Sequence, residues 1–396
     1  LLILACVKEV NFVSFDGGVI KCVKGTGWAK NPLQAVLCIG FIDQTIITGT
    51  FNGSLFVWKG KTLSQTIPAH TGSVNAIWTR KTSKGVITGG NDGEVIIWDH
   101  NIKKIQTVDI KQKSIGSLMP KVRSICENSK GNLIIGTRGG EIVEFVGNAP
   151  KVLMKGHFDD ELWGLCVHPK KNEYVTVGED KLLATWDIAT RKQKYSIGID
   201  YKAKVLAYSP DEKFLAVGCV NGFVLILNPS NFALIQQLKD RTKEISELKF
   251  SPDGELLAVG AHDSEIFVYQ VKKNFKILAK MRGHHSTITH FDFSRDSSVL
   301  QSNCTSYELL YFDTKSGKRN PSGASANRDE EWATWTCTIG WPVQGIWPAY
   351  SDGSDINSLD RHPQGNVLAT GDDFSTVKLF KYPCAIEKAS FTKVVG

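Results

Sequence analysis

The feature that most constrains this sequence is a hairpin signal that recurs about every forty residues. Each copy has an apolar, β-branched run, a turn of the Asn-Gly or Asp-Gly kind, and a second run that closes on a large apolar residue. The closing residues are Trp58, Trp98, Phe145, Trp186, Leu227, Tyr269, Phe312 and Phe380. This period predicts an all-β chain of four-stranded antiparallel blades stacked as β-propellers. The last interval, from Phe312 to Phe380, is far longer than the others and must contain something irregular.

Two copies also place polar side chains at matching positions before the closing tryptophan. A histidine precedes it at nearly the same offset in both copies, a threonine by ten positions and an aspartate by six. The sets are His70, Thr88, Asp92 and Trp98 in one copy and His157, Thr176, Asp180 and Trp186 in the other. Hydrogen bonds among four such groups satisfy polar atoms that a blade buries, so we predict two structural tetrads.

Other copies keep only a turn residue six positions before the closing residue. These are Asn52 before Trp58, Asn221 before Leu227 and Asp263 before Tyr269. Without a full tetrad, we expect these blades to be held by packing and strand ladders, and to be less rigid.

The composition is that of a folded, globular chain, with 42% hydrophobic and 22% charged residues. The net charge of +7 comes from scattered pairs such as Lys103 and Lys104, so it favours no nucleic-acid tail. These lysines either attract an acidic partner or only solvate loops and outer strands. The nine cysteines are widely spaced without a Cys-x-x-Cys pair, and we expect buried, reduced thiols. The apolar residues 1–7 are too short for a membrane span, and we expect a cytoplasmic protein without membrane contact.

Residues 156–187 resemble the WD40 signature, which begins with Gly-His and ends with Trp-Asp. A narrower resemblance covers essentially the whole chain in collinear order. Its motifs are residues 160–165, 328–348, 351–357, 371–374 and 381–384. In these segments the chain is similar to the echinoderm microtubule-associated protein-like family.

That resemblance implies a core of two tandem propellers and association with tubulin and microtubules. Residues 1–155 would then be the last blades of an incomplete first propeller, and residues 156–396 most of a second that lacks its last blade. The atypical blade of the second propeller would lie near residues 328–348. The family's N-terminal coiled coil is absent from this chain, so we expect oligomerisation only through regions that the chain lacks.

Candidate binding residues are concentrated in the irregular interval, where four tryptophans lie within seventeen positions. They are Trp332, Trp335, Trp341 and Trp347. Such rings either fill the space left by an irregular blade or anchor a partner from an exposed position. Both interpretations stay open at this stage.

Other polar groups are expected to be structural. Asp352, Asp355, Asp372 and Asp373 match no calcium loop and suit turn capping. His284, His285 and His290 have no cysteine or carboxylate at a standard ligand spacing, and His284 occupies the repeat's histidine position. We therefore expect no metal and no cofactor.

Catalytic signatures are equally weak. Residues 60–62 resemble the end of a phosphate-binding loop, but the strand that ends at Trp58 leaves no room for that loop. The sequence has no nucleophile elbow and no paired-carboxylate motif. We therefore expect a non-enzymatic WD-repeat scaffold, and the family resemblance implies that it binds tubulin and organises microtubules at the cytoskeleton. The alternative is an adaptor for other partners, such as a mitotic kinase or a ciliary complex.

Overall fold

The chain forms antiparallel sheets in a computed structural model that describes residues 2–7, 9–27, 34–81, 83–113, 115–348, 350–352 and 355–395. Within these residues, seven sheets have four strands and two have three. The prediction of an all-β fold with WD-type blades is confirmed. Contacts divide the chain into two compact units, Leu1–Asp159 and Asp160–Gly396.

The first unit contains one three-stranded sheet and three blades of four strands. The three-stranded sheet comprises β1 (Leu2–Cys6), β2 (Glu9–Asp16) and β3 (Val19–Lys24). The blades are β4 (Val36–Ile42), β5 (Thr45–Thr50), β6 (Ser54–Lys59) and β7 (Thr62–Pro68); β8 (Val74–Thr79), β9 (Val86–Gly90), β10 (Glu94–Trp98) and β11 (Lys104–Asp109); and β12 (Val122–Glu127), β13 (Leu133–Thr137), β14 (Ile142–Val146) and β15 (Ala149–Met154).

The second unit contains four four-stranded blades and one of three strands. They are β16 (Leu162–Val167), β17 (Glu173–Gly178), β18 (Leu182–Asp187) and β19 (Gln193–Gly198); β20 (Ala203–Tyr208), β21 (Leu215–Cys219), β22 (Val224–Leu227) and β23 (Leu234–Leu238); β24 (Ile245–Phe250), β25 (Leu256–Ala261), β26 (Ile266–Gln270) and β27 (Lys276–Met281); β28 (Ile288–Phe293), β29 (Val299–Cys304) and β30 (Leu309–Asp313); and β31 (Ile356–Arg361), β32 (Val367–Asp372), β33 (Thr376–Lys381) and β34 (Phe391–Val395).

The closing residues of the repeat all take the same place in their sheets. Each of the eight lies in the third strand, for example Trp98 in β10 and Phe312 in β30. Second strands such as β21 and β25 are buried along their whole length, because apolar side chains of neighbouring blades cover both faces. First strands of successive blades contact one another, as in the pairs β4 with β8 and β20 with β24. The repeat therefore predicts the position of the core.

The long interval holds a blade that stops after three strands. Asn320 donates its backbone N–H to the carbonyl of Tyr311 at 2.8 Å, which begins a fourth strand beside β30. Pro321 follows, and it has no N–H with which to continue the ladder. The chain turns away through a short helix, Gly323–Ala326, and later through a 3-10 helix, Trp341–Ile346. A second 3-10 turn lies at Val271–Lys273.

Two further sequence expectations bear on the surface. The expectation of buried thiols is wrong for Cys22, because every residue of β3 is exposed. Cys219, Cys304, Cys337 and Cys384 are buried, and the side chain of Cys6 lies outside the described part. Searching the described residues for a helix long and apolar enough to cross a membrane finds none.

Candidate interaction surface

The tetrad of the blade β8–β11 has the predicted geometry. His70 Nε2 lies 2.9 Å from Thr88 Oγ1, and Trp98 Nε1 donates to the same hydroxyl at 2.9 Å. His70 Nδ1 lies 3.1 Å from each carboxylate oxygen of Asp92, whose pKa is lowered to about 2. Burial by itself would raise that pKa, but the hydrogen bond to His70 and the backbone N–H groups of Glu94 and Thr71 outweigh it. This network stabilises the blade, and its polar groups are engaged in hydrogen bonds with one another.

The second predicted tetrad is described only in part. Trp186 Nε1 donates to Thr176 Oγ1 at 2.7 Å, and Asp180 accepts the N–H of Leu182 at 3.0 Å. His157 falls in the first compact unit, whereas the other three residues belong to the second. The participation of His157 therefore stays a prediction.

Blades without the full tetrad carry polar substitutes that the sequence reasoning missed. Arg241 stands as far before Tyr269 as His70 does before Trp98, and its buried guanidinium pairs with Asp263. Ser117 holds the same place before Phe145, and its hydroxyl donates to the buried Glu141 at 2.7 Å. These polar contacts add to the packing and strand ladders that we expect to hold such blades mainly. The offset that these residues share with His70 was the signal that could have found both.

The irregular segment, residues 328–348, returns to the first strand of the three-stranded blade. Ala333 donates its N–H to the carbonyl of Phe293 at 3.0 Å, and Trp332 pairs with Ser294 in an isolated antiparallel β-bridge. The buried carboxylate of Asp292 accepts a hydrogen bond from the hydroxyl of Thr334 at 2.5 Å. It also accepts hydrogen bonds from the N–H groups of Thr336 and Cys337 at 2.9 and 3.1 Å. Asp292 thus supplies acceptors for a segment that has few ladder bonds of its own.

Lys249 completes this arrangement, which we call the Asp292 hub. Its ammonium lies 3.2 Å from Asp292 and donates to the carbonyl of Phe291 at 2.7 Å and to the hydroxyl of Thr336. Burial by itself would raise the pKa of Asp292, but Lys249 and the hydrogen bonds hold it well below the usual range. The hub is a set of buried, charged contacts that holds the irregular segment in place. Nothing in the sequence indicated it.

The four tryptophans of this segment divide between core and surface. Trp332 and Trp335 are 6% and 4% exposed, pack edge to face at 6.2 Å, and join a core that includes Leu359 and Leu368. Trp347 is partly buried and donates its indole N–H to Thr338 at 2.9 Å. Trp341, at the start of the 3-10 helix, is 67% exposed. Trp332 and Trp335 therefore fill space in the core, and Trp341 is the ring that a partner can reach.

The backbone around Trp341 is held firmly although the ring is free. Cys384 donates its N–H to the carbonyl of Pro342 at 2.7 Å, and Gly345 donates to the carbonyl of Cys384 at 2.7 Å. The carbonyl oxygen of Ile386 approaches Gly345, which adds a further contact to this stretch of backbone. Trp341 thus presents an exposed aromatic ring on a fixed support, which is the arrangement typical of an anchor for a partner.

The acidic residues near this segment serve turns. Asp372 accepts the N–H groups of Phe374 and Thr376 at 3.1 and 3.0 Å and pairs with Lys378 at 2.7 Å. Asp355 accepts the N–H of Asp352 at 3.2 Å, and Asp373 accepts the amide of Asn357. The backbone contacts of Asp372 and Asp355 are those of turn capping, whereas Asp373 contacts a side chain sixteen positions away.

The histidines separate into different environments. His290 Nε2 donates to the carbonyl of Asn357 at 3.1 Å, and burial lowers the pKa of His290 to about 4. His284 Nε2 lies 2.6 Å from Ser302 Oγ, the position that threonine takes in the full tetrad. Cys304 and Glu308 lie beside His284, although their spacing in the sequence did not indicate it.

Comparison with known proteins follows the same division of the chain. A family model described as the echinoderm microtubule-associated protein second beta-propeller matches residues 162–396, and a WD domain, G-beta repeat model matches residues 61–99. Echinoderm microtubule-associated protein-like 2 of Mus musculus is 35% identical over all of this chain, which spans 61% of that relative.

Two further relatives have similar names and identities. The 77 kDa echinoderm microtubule-associated protein of Lytechinus variegatus is 34% identical over 98% of the chain and 59% of its own length. Echinoderm microtubule-associated protein-like 3 of Homo sapiens is 33% identical over 96% of the chain and 45% of its own length. Given this match and the WD-type blades, the chain belongs to the echinoderm microtubule-associated protein-like family.

Proposed function

We propose that this chain is a non-enzymatic scaffold that binds tubulin and contributes to microtubule organisation at the cytoskeleton. The observation that carries the proposal is the match to microtubule-associated proteins along the whole chain. Loops carried by β-sheet blades also suit protein recognition, because binding residues are often found on loops that a sheet scaffold positions. We further propose that residues 1–155 end a first propeller and residues 156–396 form most of a second.

Microtubule co-sedimentation and capture of soluble tubulin, each at several salt concentrations, test the binding. We expect the full chain to bind and the bound fraction to fall as salt rises, because a net charge of +7 favours an acidic partner. Absence of binding by this chain and by the same chain extended to the full length of its relatives would contradict the proposal.

We propose Trp341 as one contact residue. Its ring is exposed on a backbone fixed by the hydrogen bonds to Cys384, so little conformational entropy is lost when a partner covers it. Trp341→Ala should weaken tubulin capture at least about tenfold, since a central aromatic anchor contributes about 2 kcal/mol or more.

The matched control is Phe51→Ala, which removes an aromatic ring of comparable exposure, 64%, from the first unit. It should leave capture unchanged. Equal binding by the Trp341 variant and the parent protein would remove this contact from the proposal while leaving tubulin binding itself intact.

The apolar nature of Trp341 also supports a second function, that of an adaptor for non-tubulin partners such as a mitotic kinase or a ciliary complex. The exposed ring carries no charge, so it has no electrostatic preference for an acidic surface. Affinity purification from cells, with and without microtubule depolymerisation, separates the two functions. Partners that persist after depolymerisation and are lost with Trp341→Ala would favour the adaptor.

A further inference from the structure

A compact group of metal-ligand side chains lies at one end of the three-stranded blade. We call it the His284 cluster; it comprises His284, Cys304 and Glu308. His284 precedes β28, Cys304 ends β29 and Glu308 precedes β30. The pairing of Ile288 with Cys304 brings these three positions together at the same end of the sheet. Residues well separated in the sequence thus become neighbours.

Three different donor atoms converge in this cluster. Cys304 Sγ lies 3.1 Å from Glu308 Oε2, and His284 Nδ1 lies 3.5 Å from the same oxygen. The ligand atoms of His284, Cys304 and Glu308 all lie within 4.8 Å of one another. The side chain of His284 is 2% exposed and Cys304 is buried, whereas Glu308 reaches the surface.

One of these donors is not satisfied by the protein. His284 Nδ1 is buried, and among the described residues it forms no well-formed hydrogen bond: Glu308 Oε2 lies 3.5 Å away, at the limit for such a bond. The equivalent nitrogen of His70 lies 3.1 Å from both oxygens of Asp92. A poorly paired buried nitrogen is costly, which favours a ligand that would accept its lone pair.

Ser302 gives the imidazole a partner in the tautomer that a metal needs. His284 Nε2 lies 2.6 Å from Ser302 Oγ, and donation from Nε2 to this hydroxyl leaves the lone pair on Nδ1. The hydroxyl of Ser302 thereby orients the ring toward Glu308.

We propose that His284 Nδ1, Cys304 Sγ and the Glu308 carboxylate bind a zinc ion. Zinc accepts a mixed set of N, S and O donors, whereas magnesium and calcium prefer oxygen alone. Bond lengths of about 2.0–2.3 Å in a tetrahedron put neighbouring ligand atoms about 3.3–3.8 Å apart. The observed separations of 3.1 and 3.5 Å are close to that range, so binding requires only a small adjustment.

The fourth position is left to water, since His285 Nδ1 lies 2.5 Å from the other carboxylate oxygen, Glu308 Oε1, as in a hydrogen bond, and its ring is largely exposed. Binding replaces the thiol proton of Cys304, which leaves to solvent, with a zinc–sulfur bond. The ion would tie the approach to β28 to the hairpin of β29 and β30. It would thereby take the role that Asp92 has in the complete tetrad, and this inference is independent of tubulin.

Cobalt(II) titration of the full chain tests the proposal, because tetrahedral cobalt with a thiolate ligand has visible d–d bands and a near-ultraviolet sulfur-to-cobalt band. We expect one equivalent to produce both features, and zinc to abolish them by displacing cobalt. Cys304→Ser should lose the sulfur band, and Glu308→Gln should weaken zinc binding at least about tenfold.

Cys219→Ser is the matched control, because Cys219 is also a buried free thiol at the end of a second strand, β21. It should bind cobalt as the parent protein does. Circular dichroism verifies that each variant is folded, and Glu308→Gln, at a partly exposed position, covers the case in which Cys304→Ser does not fold. Absence of the sulfur band in the parent protein, or its persistence in folded Cys304→Ser, would show a hydrogen-bonded cluster only and overturn the proposal.

Discussion

The blade β8–β11 and the blade β28–β30 both supply partners for buried polar groups. The first uses residues of one short stretch of the chain, and the second uses residues of distant segments. In the first, one network from His70 to Trp98 satisfies the buried polar groups within a single continuous stretch of chain. In the second, the Asp292 hub joins Lys249 to Thr336 and Cys337, so its partners span three segments of the chain. Local networks repeat from blade to blade, whereas a long-range network is specific to one place. An irregular segment can therefore be as well anchored as a strand.

The largest expected effect comes from removing the acceptor at the centre of the hub. Asp292→Ala leaves Lys249 and the N–H groups of Thr336 and Cys337 buried without their carboxylate. Breaking a buried charge pair in this way costs about 3–5 kcal/mol. Urea unfolding followed by the fluorescence of Trp332 and Trp335 measures it.

The exposed Asp373 provides the control for this substitution, and Asp373→Ala should change stability by no more than about 0.5 kcal/mol. Equal midpoints for the two variants would mean that the hub does not hold the irregular segment.

Acid should weaken the same region through His290, which lies 3.7 Å from Glu247 and is neutral in the fold. Burial, aided by Lys249, lowers the pKa of His290 to about 4, against about 6.5 in an unfolded chain. As the pH falls from about 6.5 to about 4, the unfolded chain binds a proton that the folded chain excludes. Stability is then lost at up to about 1.4 kcal/mol per pH unit.

His290→Gln keeps an N–H donor for Asn357 but cannot titrate, so its stability should fall less steeply over this pH range. Glu247, whose pKa burial raises to about 7, is present in both proteins. Denaturant midpoints measured from pH 8 to pH 4 give the two slopes. Parallel slopes would contradict the assignment of a neutral, buried His290.

The local network allows a matched pair of threonine substitutions in neighbouring blades. Thr88 serves both His70 and Trp98, whereas Thr48 accepts the indole N–H of Trp58 at 3.1 Å. Thr88→Val should cost about 1–3 kcal/mol because two buried groups lose their partner. Thr48→Val should cost less. A larger loss for Thr48→Val in urea unfolding would show that the tetrad adds no stability.

The smallest effect on stability is expected at Trp341, since its ring is exposed and the local structure is held by backbone hydrogen bonds. Trp341→Ala should change the free energy of unfolding by no more than about 0.5 kcal/mol. A loss comparable to that of Asp292→Ala, measured in the same urea titration, would make Trp341 part of the core and unsuitable as a contact residue.

The repeated parts of the sequence predicted the most about the structure. The closing residues and the His70 tetrad followed from their offsets, because a blade needs the same groups at the same places. Arg241 shares this offset but was missed, together with its pairing with Asp263, since its residue type differs from the repeat.

The long-range contacts gave no comparable signal. Asp292 binds residues 42 to 45 positions away in a segment that has no second copy, so no internal comparison could reveal it. Likewise, the register of β28 against β29 was needed to bring Cys304 to His284. The division of the four tryptophans also depended on packing, because all lie in one short stretch.

Amide hydrogen exchange on the full chain tests most directly whether the irregular segment is a fixed platform. The N–H groups of Thr336 and Cys337 lie outside any strand and donate to Asp292, so we expect their protection to approach that of strand β28. Exchange of these two amides at the rate of an unstructured loop would contradict the account, because Trp341 would then have no rigid support from which to meet a partner.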